Sequence, residues 1–412
     1  MNKRIAIPIL ALILLIIDFY AFEAIRVLLA PLSVSIQSAA TYGYWGLSVI
    51  TVIGLFFYHF IDPQLLGKRA RTIIMVFIFS IYVAKTFLIL SLILDDVRRL
   101  FLWIWAEITD SPFVAQRSFW LILFGGVLAL FTLIAISWGI LVGAHDYAVR
   151  KSTVYLPDLP KAFDGFKVLQ ISDVHSGTFW NKNAVAKGID LIKEQQADTI
   201  FFTGDLVNNV ADEMDEYKDL FGQLEAEFGV YSIFGNHDYG DYVYWPNKEA
   251  KEANLRKLAQ IQREMGWDLL INEHRILEKE GEKIAVLGIE NWGAKARFPK
   301  YGDLAKAHIG TENIPVKLLL SHDPSHWLEQ VIPEYPDIDL TFSGHTHGMQ
   351  FGIDTKRFKW SPVKYVYRQW ADLYKQGEQY LYVNRGFGYL GFPGRVGIRP
   401  EITVITLKSG SA

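Results

Sequence analysis

The sequence predicts a bundle of membrane-crossing helices followed by an α/β domain in which two sheets pack together with helices outside. Three observations predict it. Four long apolar stretches precede residue 145, whereas after residue 150 short β-rich runs alternate with helical patterns. At 412 residues the chain is too long for one ordinary core. Hydrophobic residues make up 51% of it and charged residues 21%, an apolar share that points to membrane segments. Residues 1–150 are therefore read as a membrane anchor and 151–412 as a second domain.

The apolar stretches cover roughly 5–25, 44–62, 72–94 and 119–143. Each is about the 20 residues a helix needs to cross a bilayer. The first holds Pro8 and runs into Asp18-Phe19-Tyr20 with no small-residue cleavage site, so it reads as an uncleaved anchor and not as a signal peptide. With an even number of spans, Lys3, Arg4, Lys68, Arg69, Arg71, Arg150 and Lys151 share a side with the second domain. Arg26, Arg98, Arg99 and Arg117 face the other side. The excess of cations favours a cytoplasmic second domain. Val97–Trp105 mixes cations with Trp and reads as a helix lying in the interface. Asp18, Glu23 and Lys85 sit inside or at the edge of spans, where structural pairing or snorkelling is the expected reading and a functional role its rival.

The net charge of -3 gives no sign of nucleic-acid binding. The absence of cysteine excludes disulfides and thiolate metal sites, and fits a reducing compartment.

Beyond Pro157 and Pro160, which mark the entry to the second domain, strand-like runs fall at 167–171, 199–202, 230–234, 284–288, 316–320, 338–342, 381–383 and 402–407. Helical patterns fill 183–196, 212–226 and 248–265. No internal repeat or low-complexity linker interrupts them. Five of the strand-like runs end in short polar patches: Asp173-Val174-His175, Gly204-Asp205, Gly235-Asn236-His237-Asp238, Ser321-His322 and Gly344-His345-Thr346-His347. Active sites of α/β proteins gather at the carboxyl ends of strands, and the glycines at 204, 235 and 344 let the backbone turn as each strand ends. Any one patch alone is an ordinary turn or surface loop. Together they supply imidazole, carboxylate and amide ligands, a set that suits Mn, Fe or Zn and suits Ca poorly. Asp173, His175, Asp205, Asn236, His322, His345 and His347 are too many ligands for one ion. They fit two ions about 3.5 Å apart that share a carboxylate, an arrangement that activates water, polarises a phosphoryl oxygen and stabilises an in-line displacement. The expected reaction class is hydrolysis of a phosphate ester. His274, His308 and His326 carry no motif and are assigned nothing.

Two aromatic insertions flank the patches, Tyr239–Trp245 and Arg357–Trp370. Mixed aromatics and cations suit a membrane interface, or a lipid substrate with an anionic head. A hairpin packed on the domain is the competing reading.

The five motifs resemble those of the calcineurin-like metallophosphoesterases and, within that superfamily, of transmembrane metallophosphoesterases of the YkuE-like kind, over about residues 154–408. The tail Asn384-Arg385-Gly386-Phe387-Gly388, Arg395 and Pro400-Glu401 also resembles that subfamily. The resemblance implies a double β-sandwich flanked by helices. It implies Asp173, His175 and His347 on a first metal, Asn236, His322 and His345 on a second, and Asp205 bridging. It further implies catalytic roles for His237, beside the phosphate, and for Asp238, which would orient the His237 ring through a carboxylate–imidazole hydrogen bond. Arg385 and Arg395 are candidate phosphate contacts, with structural salt bridges as the competing reading. Two departures stand out: Met349 follows Gly348 where relatives carry a second glycine, and Leu206-Val207-Asn208-Asn209 lacks a carboxylate many relatives have. Neither removes a ligand.

The implied cofactors are two divalent ions, Mn first, with Fe, Zn or Mg as alternatives. The implied activity is cleavage of a phosphodiester or pyrophosphate, with a lipid-linked substrate such as UDP-2,3-diacylglucosamine in lipid A synthesis, at a bacterial inner membrane. A phosphodiesterase or phosphatase acting on soluble substrates is the alternative. A membrane receptor or scaffold with a non-catalytic metal site is the alternative of another class. No nucleic-acid partner is expected, and the sequence carries no indication of oligomeric state.

Overall fold

The computed structural model describes residues 3–113, 116–295 and 300–410. They form two compact units, one ending at Trp138 and the other beginning at Gly139.

The first unit is built from α1 (Lys3–Leu29), α2 (Val34–Phe60), α3 (Lys68–Thr109) and most of α4 (Phe119–Leu141). All four helices are long and apolar enough to cross a membrane. Val97–Trp105 is helical but does not form an interfacial element of its own, because it continues α3 without a break. No Gly or Pro interrupts the ladder there, and the acidic pair has arginine partners within the helix. Arg98 lies 2.8 Å from Asp95 and Arg99 3.3 Å from Asp96, each one turn on. Asp18 is fully buried and accepts from Lys85 Nζ at 2.5 Å and from the Tyr82 hydroxyl at 3.1 Å. The intramembrane charges are thus paired, and Glu23 pairs with Arg26 at 3.0 Å.

Among its described residues the second unit carries fourteen strands. They are β1 (Ala148–Leu156), β2 (Lys167–Ile171), β3 (Thr199–Phe202), β4 (Val230–Ser232), β5 (Trp267–Leu269), β6 (Glu273–Lys279) and β7 (Glu282–Gly288), then β8 (Lys317–Leu320), β9 (Leu340–Ser343), β10 (Ile353–Asp354), β11 (Lys359–Trp360), β12 (Asp372–Gln376), β13 (Gln379–Val383) and β14 (Glu401–Ser409). One six-stranded sheet has the order β1-β14-β2-β3-β4-β5, the other β12-β13-β9-β8-β7-β6, and β10–β11 is a separate hairpin. Strands β2 to β5 run parallel, as do β7, β8, β9 and β13.

The period of two along each strand sorts side chains into layers. Val168, Phe201, Ile284, Val286, Leu318, Leu320 and Phe342 fill the core between the sheets. Their neighbours Leu169, Ile200 and Phe202 turn outward against Val185 and Ile189 of α5 (Lys182–Lys193) and Leu258 of α6 (Lys248–Glu264). On the other sheet Ala285, Leu287, Leu319 and Leu381 pack beneath Trp327 and Val331. Both faces of each sheet are covered, which is why the inner strands read as unbroken apolar runs. Both helices start on an asparagine cap: Asn181 accepts from Ala184 N, and Asn247 from Ala250 N.

The expected helix over 212–226 is absent as a continuous element. Short turns at Ala211–Met214 and Lys218–Phe221 replace it. Glu213 accepts from the backbone N–H of Asn208 at 2.6 Å and of Asn209 at 3.3 Å, tying the first turn to the loop after β3.

Candidate metal centre

Strands β2, β3 and β4 of one sheet and β8 and β9 of the other deliver the five patches from their carboxyl ends. Two clusters result, Asp173–His175–His347 and Asp205–His322–His345, with the ligating atoms in each within 4.8 Å of one another. In the first, His175 Nε2 faces His347 Nε2 at 3.0 Å, and His347 Nε2 lies 3.2 Å from Asp173 Oδ1. In the second, His322 Nε2 lies 3.2 Å from Asp205 Oδ2, and His345 Nδ1 lies 3.2 Å from His322 Nε2 and 2.8 Å from Asn236 Oδ1. Asp205 Oδ2 is also 3.5 Å from His175 Nε2, so this one carboxylate reaches both clusters. All seven expected ligands therefore converge.

The backbone is bent to achieve this. Asp173, His175, Asp205, His345 and His347 all have φ between 47° and 69°, in the left-handed region. Non-glycine residues held there cost of order 1–3 kcal/mol each and cluster at functional sites. Two glycines make the approach feasible. A Cβ on Gly204, whose φ is 97°, would meet Gly235 N at 2.5 Å. A Cβ on Gly344 would meet Ser172 Oγ at 1.9 Å and Asp173 Oδ2 at 2.2 Å.

The hydrogen bonds around the rings assign their tautomers. His322 Nδ1–H donates to Thr203 O at 2.7 Å, which leaves Nε2 as the nitrogen facing Asp205 and the one a cation would take. The Tyr367 hydroxyl donates to Asp323 Oδ2 at 3.1 Å and accepts from His345 Nε2–H at 2.9 Å. That leaves the His345 Nδ1 lone pair aimed at Asn236 and His322. Lone pairs converging at about 3 Å without protons between them repel unless a cation sits among them, so the donor set fits divalent metals. The carboxylates draw positive charge to the same place. Burial opposes a charged His322, yet Asp205, Asp173 and the Thr203 carbonyl raise it to about 10, so a second proton and a metal ion compete for Nε2. Burial alone would raise the Asp205 carboxyl, but His322, His237 and His175 hold it well below the usual range.

His237 is half-buried, and its Nδ1–H donates to Asn208 O at 2.8 Å. The backbone N–H of His237 donates to Asp205 Oδ1 at 2.8 Å. Its ring lies 4.9 Å from that of His175 and 4.4 Å from that of Tyr242.

Asp238 does not orient the His237 ring. It is fully buried, and its oxygens accept from the backbone N–H groups of Asp205 (2.9 Å), Leu206 (2.9 Å), Val207 (3.2 Å) and Gly235 (2.8 Å). Its side chain clamps the loop that presents Asp205. Asp238→Asn would turn an amide NH₂ toward backbone donors. It should lower stability by about 1–3 kcal/mol in thermal or denaturant unfolding.

Neither arginine is placed as an exposed phosphate contact. Arg385 is fully buried and paired with Glu401 (2.6 Å), Asp372 (2.7 Å) and Asp354 (3.0 Å). Arg395 donates to the carbonyls of Arg385, Gly386 and Gly388, at 2.8, 3.0 and 2.5 Å, and its Nη2 lies 3.5 Å from His347 Nδ1. Both lock the loop after β13.

Sequence reasoning missed Asp323, Tyr367 and Tyr242. Asp323 directly follows a ligand, which is the only local signal it had. Tyr367 lies twenty-two residues beyond His345 in the second aromatic insertion, and Tyr242 accepts from Asn236 Nδ2 at 2.8 Å. Tyr367→Phe removes the acceptor that fixes the His345 tautomer. Metal affinity of the purified chain should fall about 10-fold in a competitive chelator titration.

A double sheet with a paired His/Asp cluster at its strand ends defines a metal-dependent phosphoester hydrolase. Residues 3–144 match the family described as "Probable Calcineurin-like phosphoesterase, transmembrane domain", and residues 166–349 match "Calcineurin-like phosphoesterase". The chain is 31% identical over 274 residues to "Uncharacterized metallophosphoesterase YkuE" of Bacillus subtilis, covering 64% of this chain and 87% of that one. It is 29% identical over 290 residues to "Transmembrane protein with metallophosphoesterase domain" of Danio rerio, covering 68% of this chain but only 62% of that protein's length. It is 26% identical over 247 residues to "Phosphodiesterase YaeI" of Escherichia coli, covering 59% and 82%. The chain belongs to the calcineurin-like metallophosphoesterases, whose sites are dinuclear, and its apolar helices make it an integral membrane protein.

Proposed function

We propose that this chain is a membrane-anchored dinuclear phosphohydrolase that cleaves phosphodiester or pyrophosphate bonds of a lipid-linked substrate, of which UDP-2,3-diacylglucosamine is the specific candidate. The observation that carries the hydrolase reading is the reach of Asp205 into both clusters. Asp173, His175 and His347 would hold one ion, Asn236, His322 and His345 the other, with Asp205 shared. The mixed imidazole, carboxylate and amide set suits Mn, with Fe, Zn or Mg as alternatives. When bound, the ions supply Lewis-acid polarisation of a phosphoryl oxygen and activation of water.

The protein's own groups do the rest. The Asn208 carbonyl holds the Nδ1 proton of His237, so Nε2 is the ring nitrogen that, in the imidazolium form, would donate to a phosphoryl oxygen or protonate a leaving group. Asp238 holds the Asp205 loop rigid, and the Tyr367–Asp323 pair holds His345. The lipid-linked substrate is supported by the four apolar helices and by exposed aromatic residues, such as Tyr242, beside the centre. The distribution of Lys and Arg supports a site facing the cytoplasm of a bacterial inner membrane.

The test is hydrolysis by detergent-solubilised protein, stripped by chelator and reloaded separately with Mn, Fe, Zn or Mg. The panel is a generic soluble diester, a soluble monoester and UDP-diacylglucosamine. Chelation should abolish activity and Mn restore it, with the lipid-linked pyrophosphate turned over fastest. Preference for small soluble esters defeats the lipid assignment. Failure to take up metal or hydrolyse any ester defeats the whole reading.

A further inference from the structure

The second aromatic insertion places one phenol in the metal centre, but Phe358, Tyr365 and Val366 within it, and Phe351 and Ile353 just before it, have no such use. Phe351, Ile353, Phe358, Tyr365 and Val366 are all exposed, Phe358 at 56% and Tyr365 at 75%. They sit on one short piece of chain: the β10–β11 hairpin, closed by Thr355 N–H donating to Phe358 O at 3.0 Å, and the turn Pro362–Tyr365 that follows. A run of this kind on a water-facing surface is costly unless something covers it.

Charge narrows the choice of cover. Residues 351–370 hold Lys356, Arg357, Lys359, Lys364 and Arg368 against one carboxylate, Asp354, in a chain whose net charge is -3. That carboxylate is already engaged by Arg150 at 2.5 Å and Arg385 at 3.0 Å. The lip therefore presents aromatics interleaved with cations, the composition of a segment seated between anionic headgroups and acyl chains.

The base of the lip is held by backbone hydrogen bonds. Gly352 N–H donates to Val396 O at 2.9 Å, and Val396 N–H donates to Gln350 O at 2.7 Å. Arg395 N–H donates to Gly139 O at 3.0 Å, and a Cβ on Gly139 would lie 2.6 Å from Val396 Cγ2. The lip is thus hydrogen-bonded to the loop that carries Arg395 and Val396.

We infer that residues 351–368 form a lip that seats in the headgroup–acyl boundary of an anionic bilayer. The five apolar side chains enter the boundary, and Lys356, Arg357, Lys364 and Arg368 meet lipid phosphates, Lys359 being engaged by Asp372. Tyr367, on the same turn as Tyr365 and Val366, keeps its hydroxyl on His345, so the seated lip holds one wall of the metal centre at headgroup level. The inference stands whether or not the centre hydrolyses an ester.

The chain has no cysteine, so single-cysteine variants need no background changes. Full-length Phe358→Cys and Tyr365→Cys, each carrying one fluorophore, would be placed in nanodiscs with brominated phospholipids. Ile309→Cys is the control, because Ile309 is 67% exposed but lies beside β6, across the sheet from β12. Melting curves verify that each variant is folded, and the same set in an Asp205→Asn background separates lipid seating from activity. Quenching at 358 and 365 should exceed that at 309 by at least about 3-fold, and should rise when phosphatidylserine replaces phosphatidylcholine. Arg357→Gln with Lys364→Gln should remove that rise. Equal quenching at all three positions overturns the proposal, and quenching at 358 and 365 that ignores lipid charge overturns the part assigned to the cations.

Discussion

Asp205→Asn should lower kcat by about 10³-fold or more while leaving the fold intact. The side chain keeps its size, so packing is preserved. Oδ1 accepts from His237 N–H at 2.8 Å, which forces the amide oxygen of Asn into that place. The NH₂ then points where Oδ2 stood, 3.2 Å from His322 Nε2 and 3.5 Å from His175 Nε2. A negative acceptor shared by two clusters becomes a neutral donor. Two ions held there would lose their common ligand, and their mutual repulsion would no longer be screened. Metal analysis should show the content falling from two ions per chain to one or fewer, with an unfolding midpoint close to that of the parent. Near-normal turnover would refute the bridging role. The same variant separates an enzyme from a receptor or scaffold, because a scaffold would keep its cellular function.

The fold was readable in proportion to burial. The eight strands expected from sequence correspond to β2, β3, β4, β7, β8, β9, β13 and β14, which are the inner strands of the two sheets. Of the six that passed unnoticed, β1, β5, β6 and β12 are the four sheet edges, and β10 and β11 form the separate hairpin. An inner strand is covered on both faces, so its sequence is a continuous apolar run such as Thr199–Phe202. An edge strand is partly solvated. Arg150-Lys151-Ser152-Thr153 in β1 looks like a loop until β14 pairs with it. The α3 extension was missed for a related reason. Asp95 and Asp96 look like a terminus, and only arginines one turn on, and Arg117 at 2.9 Å from Asp96, keep the helix running.

Residue identity was more legible at the site than direction. The seven candidate ligands are recognisable because each follows a strand and each is a type that binds metal. What a carboxylate or guanidinium points at is decided by tertiary contacts that leave no local mark. Asp238 lies next to His237 in sequence, yet its carboxylate turns to the backbone of residues 205–207. Tyr367 sits in an insertion that reads as surface, yet reaches His345. Arg385 has the composition of a phosphate contact and the surroundings of a structural one.

That last difference gives the second large effect. Arg385→Met should lower stability by about 3–5 kcal/mol, measured as a shift in unfolding free energy. The guanidinium is buried, with Nη1 on Glu401 Oε2 at 2.6 Å, Nη2 on Asp372 Oδ2 at 2.7 Å and Nε on Asp354 Oδ2 at 3.0 Å. Methionine fills a similar volume but leaves these carboxylates without their shared counter-charge. Glu401 suffers most, because it too is fully buried and its nearest other cation, Arg150, is 3.4 Å away. Lysine would not rescue, since one ammonium on a flexible stem cannot satisfy three acceptors set around a planar fork. Adding Glu401→Gln to Arg385→Met should recover part of the loss, because the unpaired buried charge is then gone. A phosphate-binding arginine predicts the opposite pattern, a raised KM with stability unchanged. The stability shift and its partial rescue therefore decide between the two roles without knowledge of the substrate.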